Sequence, residues 1–198
     1  MQRSIVCRLF LVFVLIAAGR ARAPAATARP VTLEVLCKHA DRILLGDVLS
    51  AKNETLLVGR RRIPVVTYRI RVVDALKGKL GEDPGSREVE MQLPARPGAA
   101  PSGSGILTYI PGAPRLETGN RYLLLVAPPS ALGCSLTVGL GQGCFRVIGS
   151  GESAAALNEF GNAGLLETDR HEQPRRGPIR YSRLAERIRE TVRKEAGE

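Results

Sequence analysis

The sequence predicts a mainly β domain framed by a short N-terminal helix and a C-terminal amphipathic helix. In PVVTYRIRVVDAL, Val66, Tyr68, Ile70 and Val72 alternate with Thr67, Arg69, Arg71 and Val73, the period-two pattern of a strand with one buried face. REVEMQLP alternates again, with Val89, Met91 and Leu93 inward and Glu88, Glu90 and Gln92 outward. Helical spacing shows only at the two ends, in Leu33, Leu36, Cys37 and Ala40, and in Tyr181, Leu184, Ile188 and Val192.

At 198 residues and 44% apolar content, the chain has room for one ordinary domain with tails. Residues 1–23 read as a secretory signal peptide. Arg3 and Arg8 precede the apolar run Leu9 to Ala18, and the small-residue stretch Ala21 to Ala23 follows it. That run is shorter than the roughly 20 residues that span a bilayer, so the expected product is soluble and either secreted or periplasmic. Removing Arg3, Arg8, Arg20 and Arg22 with this acid-free leader lowers the formal charge from +10 to +6. A basic exported chain suits anionic envelope surfaces or acidic partners better than nucleic acid, and with 4% aromatics and no tryptophan there is little to stack on bases.

The elements follow in order. Residues 24–31 form an Ala/Pro/Arg linker, and 32–149 are expected to be the folded domain. The helix around Leu33 to Ala40 leads into the strand RILLGDVLSA, where Gly46 signals a bulge. Lys52 to Pro64, polar and rich in arginine, reads as a loop or ragged hairpin. The two alternating strands come next. If they pair, Arg69 and Arg71 lie opposite Glu88 and Glu90. Residues 94–117, rich in Pro, Gly, Ala and Ser, read as an insertion; NRYLLLVAPP is then an apolar strand, and LTVGLGQGCFRVI a hairpin broken by glycines. Residues 150–179 read as a linker with marginal helix, and 180–198 as the amphipathic helix, with Ser182 as its N-cap and Glu190 and Lys194 as an i to i+4 pair.

Cys37, His39 and Asp41 stand at alternate positions, the most suggestive chemical grouping in the chain. On a helix, however, His39 lies about 200° from Cys37, so the three do not converge on a metal or a substrate. The expected roles are structural: Cys37 as a staple or buried thiol, His39 facing solvent, and Asp41 helping to end the helix. Once Cys7 leaves with the signal, Cys37, Cys134 and Cys144 remain, enough for one disulfide in an oxidising compartment. Cys134 and Cys144 flank the expected glycine hairpin; pairing of Cys37 with either is the alternative. GLGQG (Gly139 to Gly143) lacks the order of a phosphate-binding loop and reads as a tight turn. Arg60, Arg61, Arg62, Arg175 and Arg176 are the candidate binding residues, weighed against simple solvated loops.

Taken together, LCKHADRILLGDV, VVTYRIRVVDALKG, VEMQLPARPG, GNRYLLLVAPP and GLGQGCFRV resemble a group of uncharacterised bacterial exported proteins. Those are themselves similar to the netrin-like module and the N-terminal domain of tissue inhibitors of metalloproteinases. The resemblance spans about Leu33 to Ile148 and implies a five-stranded Greek-key OB-like barrel. In the metalloproteinase inhibitors an N-terminal cysteine chelates the protease zinc through its amino group and carbonyl. Here Cys37 follows a linker, so that mechanism does not carry over.

The expected function is that of a non-enzymatic binding domain for an extracytoplasmic protein, with a secreted peptidase as one partner class. The alternative is an envelope-binding module that contacts anionic lipid or glycan through its basic loops. No catalytic residues, metal or cofactor are expected, because no nucleophile, base and stabiliser can be assembled.

Overall fold

A computed structural model describes residues 29–79, 87–95, 110–166 and 176–197, with the main chain alone at Arg61. The signal peptide, most of the linker that follows it, residues 96–109 of the insertion, His171 and Arg175 lie outside the described residues.

The first helix, α1 (Leu33–His39), forms where the sequence placed it. Thr32 caps it, its hydroxyl accepting the Val35 N–H at 3.4 Å. Glu34 in the first turn and Lys38 and His39 in the last complement the helix dipole. At its end the Ala40 N–H donates to Cys37 O, and the Asp41 N–H donates to Val126 O, already a sheet contact.

Seven strands follow: β1 (Arg42–Val58), β2 (Arg61–Lys77), β3 (Glu88–Pro94), β4 (Arg121–Val126), β5 (Cys144–Ile148), β6 (Ala155–Asn158) and β7 (Ile179–Arg180). They make one antiparallel sheet in the order β3-β2-β1-β4-β5-β6-β7. The described chain is therefore mainly β, as expected, but among the described residues the sheet is open and has seven strands rather than five. The two extra strands come from the segment read as a linker at 150–179. Ala155 and Ala156 pair with both β5 and β7, and this pairing, invisible in so short and alanine-rich a run, makes them a strand. Ser135 N–H donates to Gln92 O of β3 while Thr137 bridges Val126 of β4, so the segment after β4 reaches across to β3 without becoming a strand there.

The β2–β3 register is the expected one, with Arg69 opposite Glu90 and Arg71 opposite Glu88. Register shifts fall between Leu45 and Gly46 and on either side of that pair, in keeping with a bulge. Lys52 to Pro64 is not a loop. Asn53 to Val58 pair residue by residue with Val66 to Arg61, closed by Gly59 at φ 59° and Arg60, so the hairpin is regular to its tip.

The middle of the sheet, around β1 and β4, is buried on both faces. On one, Ile43, Leu45, Leu123, Leu125, Phe145 and Val147 pack against Leu36 and Cys37 of α1 and against Leu184, Ala185 and Ile188 of the C-terminal helix, α2 (Tyr181–Ala196). On the other, Leu44, Val48, Tyr122, Leu124 and Val126 pack with Tyr68, Ile70 and Val72 of β2 and Val89, Met91 and Leu93 of β3. This two-sided burial explains the unbroken LLLV run of β4.

The helix α2 docks within the chain as expected, but Ser182 is not its cap. It starts at Tyr181, whose N–H donates to Ala154 O, and its N-cap is Arg180 with no side-chain bond. Two polar side chains of β2, Asp74 and Lys77, clasp it. Asp74 accepts the Tyr181 hydroxyl at 3.1 Å and an Arg189 N–H at 2.6 Å. Lys77 donates to Cys37 O at 2.8 Å and to Glu195 at 3.1 Å.

Cys37, Cys134 and Cys144 are free, which corrects the expected disulfide. Cys37 packs on the helix side of the sheet and Cys144 on the other, so those two are divided by the sheet itself. The glycine hairpin that was to bring Cys134 to Cys144 is not formed. Leu140–Gly143 is a single 3₁₀ turn, and Cys144 pairs with Leu124 of β4.

Candidate binding surfaces

The Cys37, His39 and Asp41 grouping separates as helical geometry requires. Cys37 is fully buried while His39 and Asp41 are exposed. Burial pushes the Cys37 thiol up to about 12, with Glu195 adding to the effect. A thiol so protonated is a weak nucleophile and a weak ligand. Burial likewise raises Cys144 and Cys134. Among the described residues no group of three His, Cys, Asp or Glu side chains is placed to hold a metal ion, and no helix is long and apolar enough to cross a membrane.

The predicted arginines fall on two elements. Arg60 sits in the β1–β2 turn and Arg62 near the start of β2, both exposed; Arg61 is the strand residue between them. Arg176 is exposed on the approach to β7, five strands away from β2 in the sheet order. Arg176 therefore does not neighbour Arg60 and Arg62 along the sheet.

The β1–β2 tip is the more distinctive of the two. β4 pairs with β1 only as far as Asp47, and β3 pairs with β2 only from Val65 onward. Beyond those points Thr55 to Val58 and Arg61 to Pro64 are bonded to each other and form a two-stranded arm. Leu56, Val58 and Ile63 are half-buried on the arm, whereas Leu57 is 73% exposed beside its cross-strand partner Arg62. Charged residues on an open strand edge ordinarily guard against unwanted pairing. An exposed leucine among them does the opposite, offering apolar area that costs free energy until it is covered.

At the arm's base, Asp47 accepts Arg121 Nε at 2.7 Å and Nη2 at 3.1 Å, and Arg71 lies 3.5 Å away. The sequence reading missed this three-strand ion cluster, although an acid inside the apolar RILLGDVL run was a signal for it. The Arg121 hydrogen bonds, followed by the charges of Arg121 and Arg71, hold the Asp47 carboxyl below its ordinary value. The folded state thus favours the ionised form, and its contribution is full above the unfolded carboxyl value of about 4. It is lost as pH falls through the lower, folded value. Urea midpoints measured from pH 7 to pH 3 should therefore drop less steeply for Asp47→Asn than for the wild type. Parallel curves would remove Asp47 from the acid response.

Comparisons with protein-family models, with curated proteins and with solved structures return no match to this chain.

Proposed function

We propose that the chain is an exported, non-enzymatic binding domain that recognises an extracytoplasmic protein through the β1–β2 arm. The observation that carries this reading is the arm itself: a ribbon that, among the described residues, extends past the strands that flank it, with Leu57 exposed beside Arg62. Among the described residues no strand pairs with the arm beyond Asp47 and Val65, which suits strand addition, and the leucine and arginine side chains suit the apolar centre and charged rim of a protein contact. The segment reaching from β4 to Gln92 of β3 supports, within the same proposal, an OB-like curl of the sheet beneath the arm. A secreted peptidase remains the partner class implied by the family resemblance.

The test uses mature protein beginning near Ala26, immobilised and exposed to the extracytoplasmic fraction of its own source at low and high salt. A discrete protein retained at high salt should be lost with Leu57→Asp, because a central apolar anchor replaced by a charge typically costs at least about 2 kcal/mol, or roughly thirtyfold in affinity. Circular dichroism checks that the variant is folded. Retention indifferent to Leu57→Asp would reject the arm. Retention of lipid or glycan alone, lost as salt rises, would instead establish the envelope-binding alternative through Arg60 and Arg62.

A further inference from the structure

The surface of α2 that faces away from the sheet carries a feature independent of the arm. A shallow cleft of about 500 Å³ is lined by Arg180, Ser182, Arg183, Glu186, Arg189 and Arg193. Four guanidinium groups face one carboxylate, so the lining is formally +3. Asp74, outside the lining, engages Arg189 at 2.6 Å and lowers that excess. Arg193 turns its Nε to Arg189 O at 3.4 Å. Arg180 and Arg183 have no ion pair among the described residues, and both are exposed. The neighbouring cation Arg187, by contrast, is paired with Glu190 at 3.1 Å. Glu190 and Glu195 of the helix are engaged by Arg187 and Lys77, so Glu186 is the helix acid left to oppose the arginines of the cleft.

We propose that this cleft is a binding site for a phosphate ester that carries free hydroxyl groups. Guanidinium forks match the paired oxygens of a phosphate, and Arg180 and Arg183, three residues apart at the start of α2, can each present one. Glu186 argues against a bare polyanion, which it would repel. It also gives the class of ligand its second feature, since a carboxylate beside the phosphate accepts hydrogen bonds from adjacent hydroxyls, and the Ser182 hydroxyl can do the same. A glycerophosphate or sugar-phosphate head has this pattern of oxyanion and alcohol. No apolar side chain lines the cleft, so contact with such a group on a lipid would be peripheral and electrostatic, without insertion.

Full mature protein is titrated with glycerol phosphate while arginine Nε–H signals are followed by NMR. In parallel it is sedimented with phosphatidylcholine vesicles with and without phosphatidylglycerol. Binding should shift the signals of Arg180 and Arg183, and Arg180→Ala with Arg183→Ala should weaken it at least about tenfold, the loss of two charge-assisted contacts. Lys38→Ala with Arg115→Ala removes the same charge at two exposed positions away from the cleft and the arm, and should leave binding unchanged. Binding of free glycerol phosphate identifies a soluble ligand. Binding of phosphatidylglycerol vesicles alone, lost in the Arg180/Arg183 double variant, identifies a lipid head group. Equal loss in both double variants would reduce the effect to net charge and overturn the site, as would failure of both probes. None of these outcomes depends on whether the arm binds a protein.

Discussion

Asn162→Ala is expected to be among the most destabilising single substitutions in the described chain, lowering stability by about 3–6 kcal/mol. Asn162 is buried and has a left-handed backbone, φ 58°. Its amide donates to Ala156 O and to Gly177 O, both at 2.9 Å, and its side-chain oxygen accepts the Asn158 N–H at 3.0 Å. Asn158 answers by accepting the N–H groups of Phe160 and Asn162 and by donating to Gln142 O. Gln142 in turn accepts the Val31 N–H and donates to Arg29 O, holding the start of the described chain. Alanine would leave buried main-chain groups without partners, at about 1–3 kcal/mol each, and would add roughly 1–2 kcal/mol for the left-handed backbone. For a domain of this size a loss of about 4 kcal/mol corresponds to a fall of about 8–16 °C in Tm. Asn162→Gly relieves the backbone but not the lost bonds, so its Tm should lie between the other two. A glycine variant as stable as wild type would show that the side-chain bonds contribute nothing.

The same network shows why parts of the fold were legible in the sequence and others were not. The β2–β3 pair could be read to the residue because each strand has one buried face, and burial is what imposes the alternation of Val66 to Val72 and Val89 to Leu93. Both helices were legible for the same reason, through Leu33, Leu36 and Cys37 and through Leu184 and Ile188. The arm was not, since Leu56, Val58 and Ile63 are only half-buried on it, too short a stripe to mark a strand, and its arginines imitate a loop. β6 and β7 were missed because nothing local marks AALN or IR as strand; neighbours and the Asn158–Asn162–Gln142 bonds decide it. The expected Cys134–Cys144 pairing assumed a hairpin where the glycines make a single 3₁₀ turn, and the alternative Cys37–Cys144 pairing is divided by the sheet. The arginine cleft was partly readable. Ser182, Glu186, Arg189 and Arg193 stand at i, i+4, i+7 and i+11, one polar stripe of the helix, to which Arg180 and Arg183 add charge at its start.

Gly143→Ala should also be destabilising, and its near neighbour Gly141→Ala mild, although both glycines sit in the same GLGQG run. A methyl group at Gly143 would run into Val138 O and would stand 3.2 Å from Val138 N and 3.3 Å from Leu125 O. All three are main-chain atoms, and two of them, Val138 N and Leu125 O, are already joined at 2.8 Å. No side chain can swing aside, so the 3₁₀ turn must move away from β4, at a cost of about 1–3 kcal/mol or more. At Gly141 the methyl meets the carboxylate of Glu159, the free end of an exposed and flexible side chain that can rotate away. The readouts are Tm and the alkylation of Cys144, which directly follows the turn. Gly143→Ala should lower the first and expose the buried thiol at temperatures where wild type and Gly141→Ala remain protected. Equal effects at the two positions would mean that the run is an ordinary flexible turn. The predicted difference would instead make Gly143 the point where close main-chain approach, rather than phosphate binding or tight-turn geometry, requires glycine.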